Sequence, residues 1–276
     1  AKWLYTTFQI TPEEVKMYDS NVVKLCCYNG QLDVVKWLYN MFYITFEEPR
    51  THCRCAFRLS CIGGHLELAQ WLHNTLQITI EEATGDSNEI FRESCHNGHL
   101  KIAQWLHNTF VVAREDAITN PYAFRWICVH GHWDVAQWLH DTFHIPSGEA
   151  KMDNNATFLL CCGHGHLEIA QWLHHIFHIT PEEAKTNDNE AFMKSCVNGY
   201  LNVSQWLYNT FQVTLEEARV HDNGVFRMTC HNGYLELIKW MHHTFHITSS
   251  EAKTNNNEAF TASCSYGYLE LAQWLH

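Results

Sequence analysis

Tryptophan recurs along this chain at 3, 37, 71, 105, 138, 172, 206, 240 and 274, in steps of 34 residues broken once by a step of 33. A pattern repeated at that period folds as stacked copies of one small unit, because a single unit cannot bury its own apolar face. Glycine keeps the same period at 30, 64, 98, 131, 165, 199, 233 and 267, always seven residues before a tryptophan, and these eight are most of the 13 glycines. The pattern predicts a single array over 1–276. Its copies are 19–52, 53–86, 87–120, 121–153, 154–187, 188–221 and 222–255, with partial copies at 1–18 and 256–276, about eight in all.

One copy shows what is being repeated. Phe192, Ser195 and Cys196 stand at i, i+3 and i+4, one stripe of a first helix. Gly199 supplies permissive backbone for a tight turn between helices. Leu201, Val203, Trp206, Leu207 and Phe211 then make a broad apolar face on a second helix. A third element follows. Thr11 with Glu14, Thr45 with Glu48, Thr79 with Glu82, Thr180 with Glu183 and Thr214 with Glu217 have the spacing of a capping box, which predicts a short helix. Pro12 and Pro181 fall at its first helical position. Ala113–Asp116 and Pro146–Glu149 break the box and leave those two links open. Polar stretches such as 186–189 and 254–257 close the element.

The first two helices resemble the ankyrin repeat. Phe192, Ser195, Cys196, Gly199 and Leu201 fall on that family's first-helix pattern, and Trp206-Leu207 on its paired leucines. Gly64-His65-Leu66, Gly98-His99-Leu100 and Gly165-His166-Leu167 reproduce its Gly-His-Leu corner. The style of Gly-His-Leu-Glu-x-Ala-Gln-Trp-Leu-His is most similar to ankyrin-like arrays of large DNA viruses of amoebae and of protists. Two features depart from the family. Its Thr-Pro before the first helix is missing, and its glycine after the second helix is replaced by Phe8, Phe42, Leu76, Phe110, Phe143, Phe177, Phe211 and Phe245. The resemblance therefore implies an all-α, ankyrin-like solenoid whose β-hairpin finger is largely replaced by a short capped helix. The tetratricopeptide repeat shares the period, but its Trp-x-x-Leu-Gly-x-x-Tyr pattern is absent.

A net charge of −12 argues against nucleic acid as the partner, since phosphate contacts need a basic face. No apolar run approaches the roughly 18 residues that span a bilayer. Eight of the 12 cysteines occupy the slot three before the glycine: 27, 61, 95, 128, 162, 196, 230 and 264. That slot reads as buried thiols acting as small hydrophobes, which implies a reducing compartment, the cytoplasm, or a host cytoplasm or virion for a viral chain. Asn155 and Asn202 fit the glycosylation pattern, against which the thiols argue. His52, Cys53 and Cys55 are the one local metal-like cluster, without a fourth ligand, and no metal or other cofactor is expected. His140/His144, His174/His178 and His242/His246 have a spacing that can hold a metal, but the same slots elsewhere hold Tyr, Gln and Val, as amphipathic packing would. Protonating all 21 histidines would move the charge from −12 to −12 + 21 = +9, so association or solubility is expected to change between about pH 7 and 5.

No phosphate loop, nucleophile elbow or paired carboxylates appear, and every His, Cys or Glu that might serve recurs in most copies, whereas an active site is built once. The chain reads as a protein-binding scaffold and not an enzyme. Slots that vary between copies are candidates for the binding face. Five before each glycine stand Leu25, Leu59, Glu93, Trp126, Leu160, Lys194 and Met228; two before it stand Tyr28, Ile62, His96, Val129, Val197 and His231. At i and i+3 these slots share one stripe, expected along the concave side of the array, with Trp126 as its best anchor. Arg58, Arg92, Arg125 and Arg227 lie one slot away and are expected to pair with the capping-box glutamates; the recurrent Gln slot (70, 104, 137, 171, 205 and 273) is expected to form a ladder between copies. Both ends fall mid-helix in the same phase, at Ala1-Lys2-Trp3-Leu4 and Ala272-Gln273-Trp274-Leu275, which fits a continuing array or chains stacked end to end as a structural building block.

Overall fold

In a computed structural model, the structure describes residues 7, 19–42, 50–117 and 122–276. These residues are built from helices, with no strand among them. By contacts the chain divides into two compact units, one of Ala1–Ile127 with Asp134–His144, the other of Cys128–Trp133 with Ile145–His276.

In the first unit α1 (Asp19–Tyr28) packs on α2 (Leu32–Phe42) and α3 (Arg50–Ile62). Helix α3 packs on α4 (Leu66–Leu76) and α5 (Ile80–His96), and α5 on α6 (Leu100–Phe110) and α7 (Arg114–Ala117). The residues of helices α8 (Tyr122–Val129) and α9 (Trp133–Phe143) are divided between the two units. The second unit continues with α10 (Ser147–Ala150), α11 (Met152–Gly163), α12 (Leu167–Phe177), α13 (Pro181–Ala184), α14 (Thr186–Val197), α15 (Leu201–Phe211) and α16 (Leu215–Ala218). It closes with α17 (Val220–His231), α18 (Leu235–Phe245), α19 (Ser249–Ala252), α20 (Thr254–Ser265) and α21 (Leu269–Leu275). Here α11, α14, α17 and α20 lie side by side, each with its second helix against it.

The expected short helix is present, and its box closes at Thr79/Glu82, Thr180/Glu183 and Thr214/Glu217, where the Thr side chain accepts from the Glu N–H and the Glu side chain from the Thr N–H. Thr248/Glu251 closes a further box. The pairs at 11/14 and 45/48 lie outside the described residues. Helices α7 and α10 form without a box, so the Ala113 and Pro146 links are helical as well. The polar stretches that follow are a left-handed turn. Asp153–Asn155, Asn187–Asn189 and Asn255–Asn257 all have φ between +53° and +62°. The turn closes by N–H to C=O bonds such as Asn189 to Lys185 and Asn223 to Arg219. Asn and Asp are the L-residues that best tolerate this region, which accounts for the composition.

The second helices stop without glycine. Gln77, Val111, His144, His178, Gln212 and His246 take φ of +47° to +52° directly after the helix. The next residue's N–H then reaches back five residues, Ile78 to His73, Ile179 to His174 and Ile247 to His242. Each residue at that next position, Ile78, Val112, Ile145, Ile179, Val213 and Ile247, is buried, the hydrophobic contact that completes a Schellman turn.

Stacking within each unit rests on three recurring contacts. The phenylalanine seven before the glycine (Phe57, Phe91, Phe124, Phe158, Phe192, Phe226) is at most 2% exposed. Phe57, Phe91, Phe158 and Phe192 meet the next copy's tryptophan, as in Phe57–Trp105 at 6.0 Å and Phe158–Trp206 at 6.1 Å, edge to face. The tryptophans are half-buried, so the fully buried column is Phe with Leu72, Leu106, Leu139, Leu173 and Leu207, and the indoles cover the seam between copies. At the corner, the ring after each glycine lies over the preceding copy's glycine: His99 over Gly64, His166 over Gly131, Tyr234 over Gly199. The histidine Nε2–H donates to a carbonyl of that copy, His65 to Tyr28, His99 to Ile62 and His166 to Val129, at 2.7–2.8 Å. Where Tyr200 and Tyr234 replace His, the Asn before the glycine takes over: Asn198 Nδ2 donates to Gly163 O and Asn232 Nδ2 to Val197 O, each at 2.7 Å.

The third contact is ionic. Lys151, Lys185 and Arg219, just past a short helix, pair with the next copy's capping-box Glu183, Glu217 and Glu251 at 2.7–2.9 Å. The same side chains donate to that copy's helix-end carbonyls, at His178, Gln212 and Phe245. Burial pushes the Glu183 and Glu217 carboxyls up, but the ammonium and the Thr N–H outweigh it and hold both below the usual carboxylate range.

Two backbone positions give opposite predictions. Val111 is 80% exposed with φ +52°, which a β-branched residue adopts at a cost, so Val111→Gly is expected to raise stability by about 1 kcal/mol. Gly199 has φ +84° with the Tyr234 ring 2.5 Å from where a β-carbon would sit, so Gly199→Ala is expected to lower stability by more than about 1 kcal/mol. Urea unfolding followed by circular dichroism checks both signs.

Candidate partner-binding surface

The first helices present two different sides. In α14, Phe192, Ser195 and Cys196 are 0% exposed, whereas Lys194 is exposed and Val197 half-buried on the opposite side. The same division holds in the other first helices. Leu25, Tyr28, His96, Trp126, Lys194, Met228 and His231 are exposed, and Leu59, Ile62, Glu93, Val129, Leu160 and Val197 are half-buried. None of the thirteen is buried. Four are large apolar side chains open to water: Leu25 at 62%, Tyr28 at 51%, Trp126 at 53% and Met228 at 55%. Of the other residues in these two slots, Gly163 and Ala262 are buried and Ser265 is exposed.

The two slots meet across copies. In the first unit the His96 ring stands edge-on to Trp126 at 6.2 Å. In the second, the Lys194 stem passes 3.2 Å from where a β-carbon of Gly163 would be, so a larger residue at 163 would displace it. The backbone beneath is pinned, because the carbonyls of Tyr28, Ile62, Val129 and Val197 are those that the corner His or Asn engages. Apolar side chains held on rigid backbone lose little freedom on binding.

In the second unit part of this side is hollowed into a groove of about 580 Å³, lined among others by Met193, Lys194, Val197, Arg227, Met228 and Glu258. Met193 was not among the sequence candidates. Its signal was a change of type in the arginine slot, which holds Met at 193 and Arg at 58, 92, 125 and 227. Charges here are locally compensated: Lys194 pairs with Glu190 at 2.6 Å, Arg227 with Glu258 at 2.9 Å, and Arg58 with Glu93 and Glu89 at 2.6 and 3.2 Å. Arg58 and Arg227 thus pair with first-helix glutamates of the following copy, while the capping-box Glu183, Glu217 and Glu251 are engaged by Lys151, Lys185 and Arg219. The glutamine slot forms no ladder: Gln70, Gln104 and Gln205 are half-buried, Gln137, Gln171 and Gln273 exposed, and none bonds a neighbouring copy.

The remaining candidates for chemistry are occupied by packing. His144, His178 and His246 end their helices in the left-handed region, so no i, i+4 pair shares a helical face. His174 donates from Nδ1 to the Ile179 carbonyl at 3.0 Å and sets its ring edge-on to Trp206 and Phe211. Among the described residues, no group of three or more His, Cys, Asp or Glu is placed to hold a metal ion, and no helix is long and apolar enough to cross a membrane. The buried hydroxyls of Ser60, Ser94, Ser195, Thr229 and Ser263 bond back to carbonyls of their own helices. In the glycosylation patterns, Asn155 with Thr157, and Ser204 of the second, are buried.

The cysteines are free thiols. In the recurrent slot Cys27, Cys61, Cys95, Cys128, Cys162, Cys196 and Cys230 are buried, and Cys264 is exposed. Burial pushes the thiols of Cys27, Cys196 and Cys230 up to about 12 and raises those of Cys61 and Cys95 further, which removes the thiolate needed for attack. No protein-family model matches the chain, and no curated protein matches it at a significant level.

Thiol titration of the dilute folded protein with an aromatic disulfide at pH 8 is therefore expected to modify Cys264 fast and the seven buried slot thiols only on unfolding. Fast reaction of Cys196 or Cys230 would mean that their first helices are not covered as described.

Proposed function

We propose that this chain is an ankyrin-like array of about eight 34-residue copies that binds another protein through the varied side of its first helices. It works without catalysis and without a cofactor. One observation carries the reading: the slots that differ between copies keep large apolar residues in water, while the slots that recur are buried in the same helices. Trp126 is the anchor of this surface, since exposed aromatics on rigid backbone dominate binding energies once covered. The groove beside Met228 accepts an apolar side chain of the partner, and methionine adapts to its shape. The buried thiols fit a reducing compartment, and the acidic balance and spent arginines fit a partner other than nucleic acid.

Trp126→Ala and Met228→Ala are each expected to weaken partner capture about tenfold or more, as removal of a binding anchor does. Because both side chains are more than half exposed, neither substitution is expected to move the unfolding midpoint. Affinity capture from cell extract with quantitative mass spectrometry, run beside thermal unfolding, checks the two together. Equal recovery of every partner by wild type and both variants would remove this surface from the account.

A further inference from the structure

We propose that the groove between α14 and α17 takes an aromatic side chain from an acidic segment of the partner, with a carboxylate beside that ring engaged by Lys194. The inference rests on the partner-binding reading of the first-helix side and names the chemistry that this part of it selects.

The groove opens where one recurring contact is missing. The residue six before a corner glycine meets the residue nine before the next: Arg58 bonds Glu89 at 3.2 Å and Arg227 bonds Glu258 at 2.9 Å. In every other such pair of positions along the sequence at least one member is charged, as Leu159 with Glu190 or Arg125 with Ala156. At 193 and 224 both charges are gone, replaced by Met and Gly, and the groove of about 580 Å³ lies there. Helix α14 packs on α11 and α17, and α17 on α14 and α20, so the opening is set within the row of first helices. Its backbone is held in place. Asn198 and Asn232 bond the carbonyls of Gly163 and Val197, and Val225 beneath is 3% exposed.

The lining sorts the possible occupants. Met193, Val197 and Met228 supply apolar walls from two helices. The volume lies within the roughly 300–1,000 Å³ of pockets that take whole ligands, which is room for a ring. Two thioethers favour an aromatic ring, because polarizable sulfur packs well against its edge. The charged lining residues are Lys194, Arg227 and Glu258, two cations and one carboxylate in a chain of net charge −12. Arg227 and Glu258 pair at 2.9 Å, and Asn255 donates to the same carboxylate at 2.7 Å. Lys194 gives one N–H to Glu190, which does not line the groove, at 2.6 Å, and its ammonium carries three. Its stem rests on Gly163, which keeps the ammonium close to the opening. A carboxylate next to the ring matches that local surplus. A basic neighbour would oppose it, and a purely apolar segment would strip water from Lys194 with nothing in return.

Selection of a random peptide library displayed on phage tests this, with the whole chain as bait. The double variant Met193→Arg/Gly224→Glu serves as counter-bait, since it closes the groove with the ion pair that joins other copies. Peptides kept by wild type and not by the closed variant are expected to carry Phe, Tyr or Trp beside Asp or Glu. The consensus peptide, labelled and followed by fluorescence anisotropy, is expected to bind the closed variant more than about tenfold more weakly, as loss of an anchor pocket does. Lys194→Gln, at an exposed position that leaves the fold untouched, is expected to weaken it about three- to fivefold, with the difference shrinking in high salt. Trp126→Ala is expected to bind the peptide as wild type does. A consensus that is basic or lacks an aromatic residue overturns the proposal. So does the absence of any peptide that tells the two baits apart, or equal affinity for wild type and Lys194→Gln. Partner capture that depends on Trp126 stands or falls separately, because no result with the peptide involves that side chain.

Discussion

Everything in this structure depends on how closely one copy approaches the next at the glycine corner. There the backbone must turn at positive φ, and the following copy's ring must rest where a β-carbon would be. Only glycine meets both demands, and it recurs at one spacing for that reason. The ring that lands on it also orders the polar chemistry. A histidine satisfies the carbonyl two residues before the preceding glycine, and where tyrosine replaces it, a neighbouring asparagine donates to the corresponding carbonyl. The exchange of His for Tyr at 200 and 234 is thus accompanied by a second donor at 198 and 232.

From that corner the rest follows outward. Copies held at this distance bring Phe158 against Trp206 and Phe192 against Trp240, and bury the thiols between. On the far side of the stack, the short helix does two jobs with one carboxylate. Glu183 and Glu217 cap their own helices and receive the ammonium of the copy before. What is left facing water on the first helices is free to vary, and it is there that Leu25, Trp126 and Met228 are displayed.

Much of this was legible in the residues. Period 34, the Gly turn, the two helices and the capping boxes follow from spacing alone, because helix faces and caps are local patterns. The exposed side of the first helices was legible by contrast, as the slots that vary between otherwise similar copies. Four things were not. The stretch 187–189 reads as a loop, since Asn and Asp mark turns, and only backbone angles reveal a left-handed turn. The stop after Phe177 or Phe211 lacks its glycine, and the signal was one residue later still, in the buried Ile179 or Val213. Histidines at i and i+4 suggested a shared face that the left-handed second member removes, as at His178. The arginine partners were misplaced for a related reason: which glutamate of the next copy faces Arg58 depends on how copies are offset, and no single copy contains that information.

The central claim is that neighbouring copies are held by direct contact between the buried phenylalanine of one and the tryptophan of the next. A double-mutant cycle on Phe158 and Trp206, with each replaced by leucine singly and together and stability read from urea unfolding, measures that contact. The account predicts a coupling of about 0.5–1.5 kcal/mol between two residues 48 positions apart. Additive effects, with a coupling near zero, would mean that the two rings do not meet and that the copies are not stacked in this way.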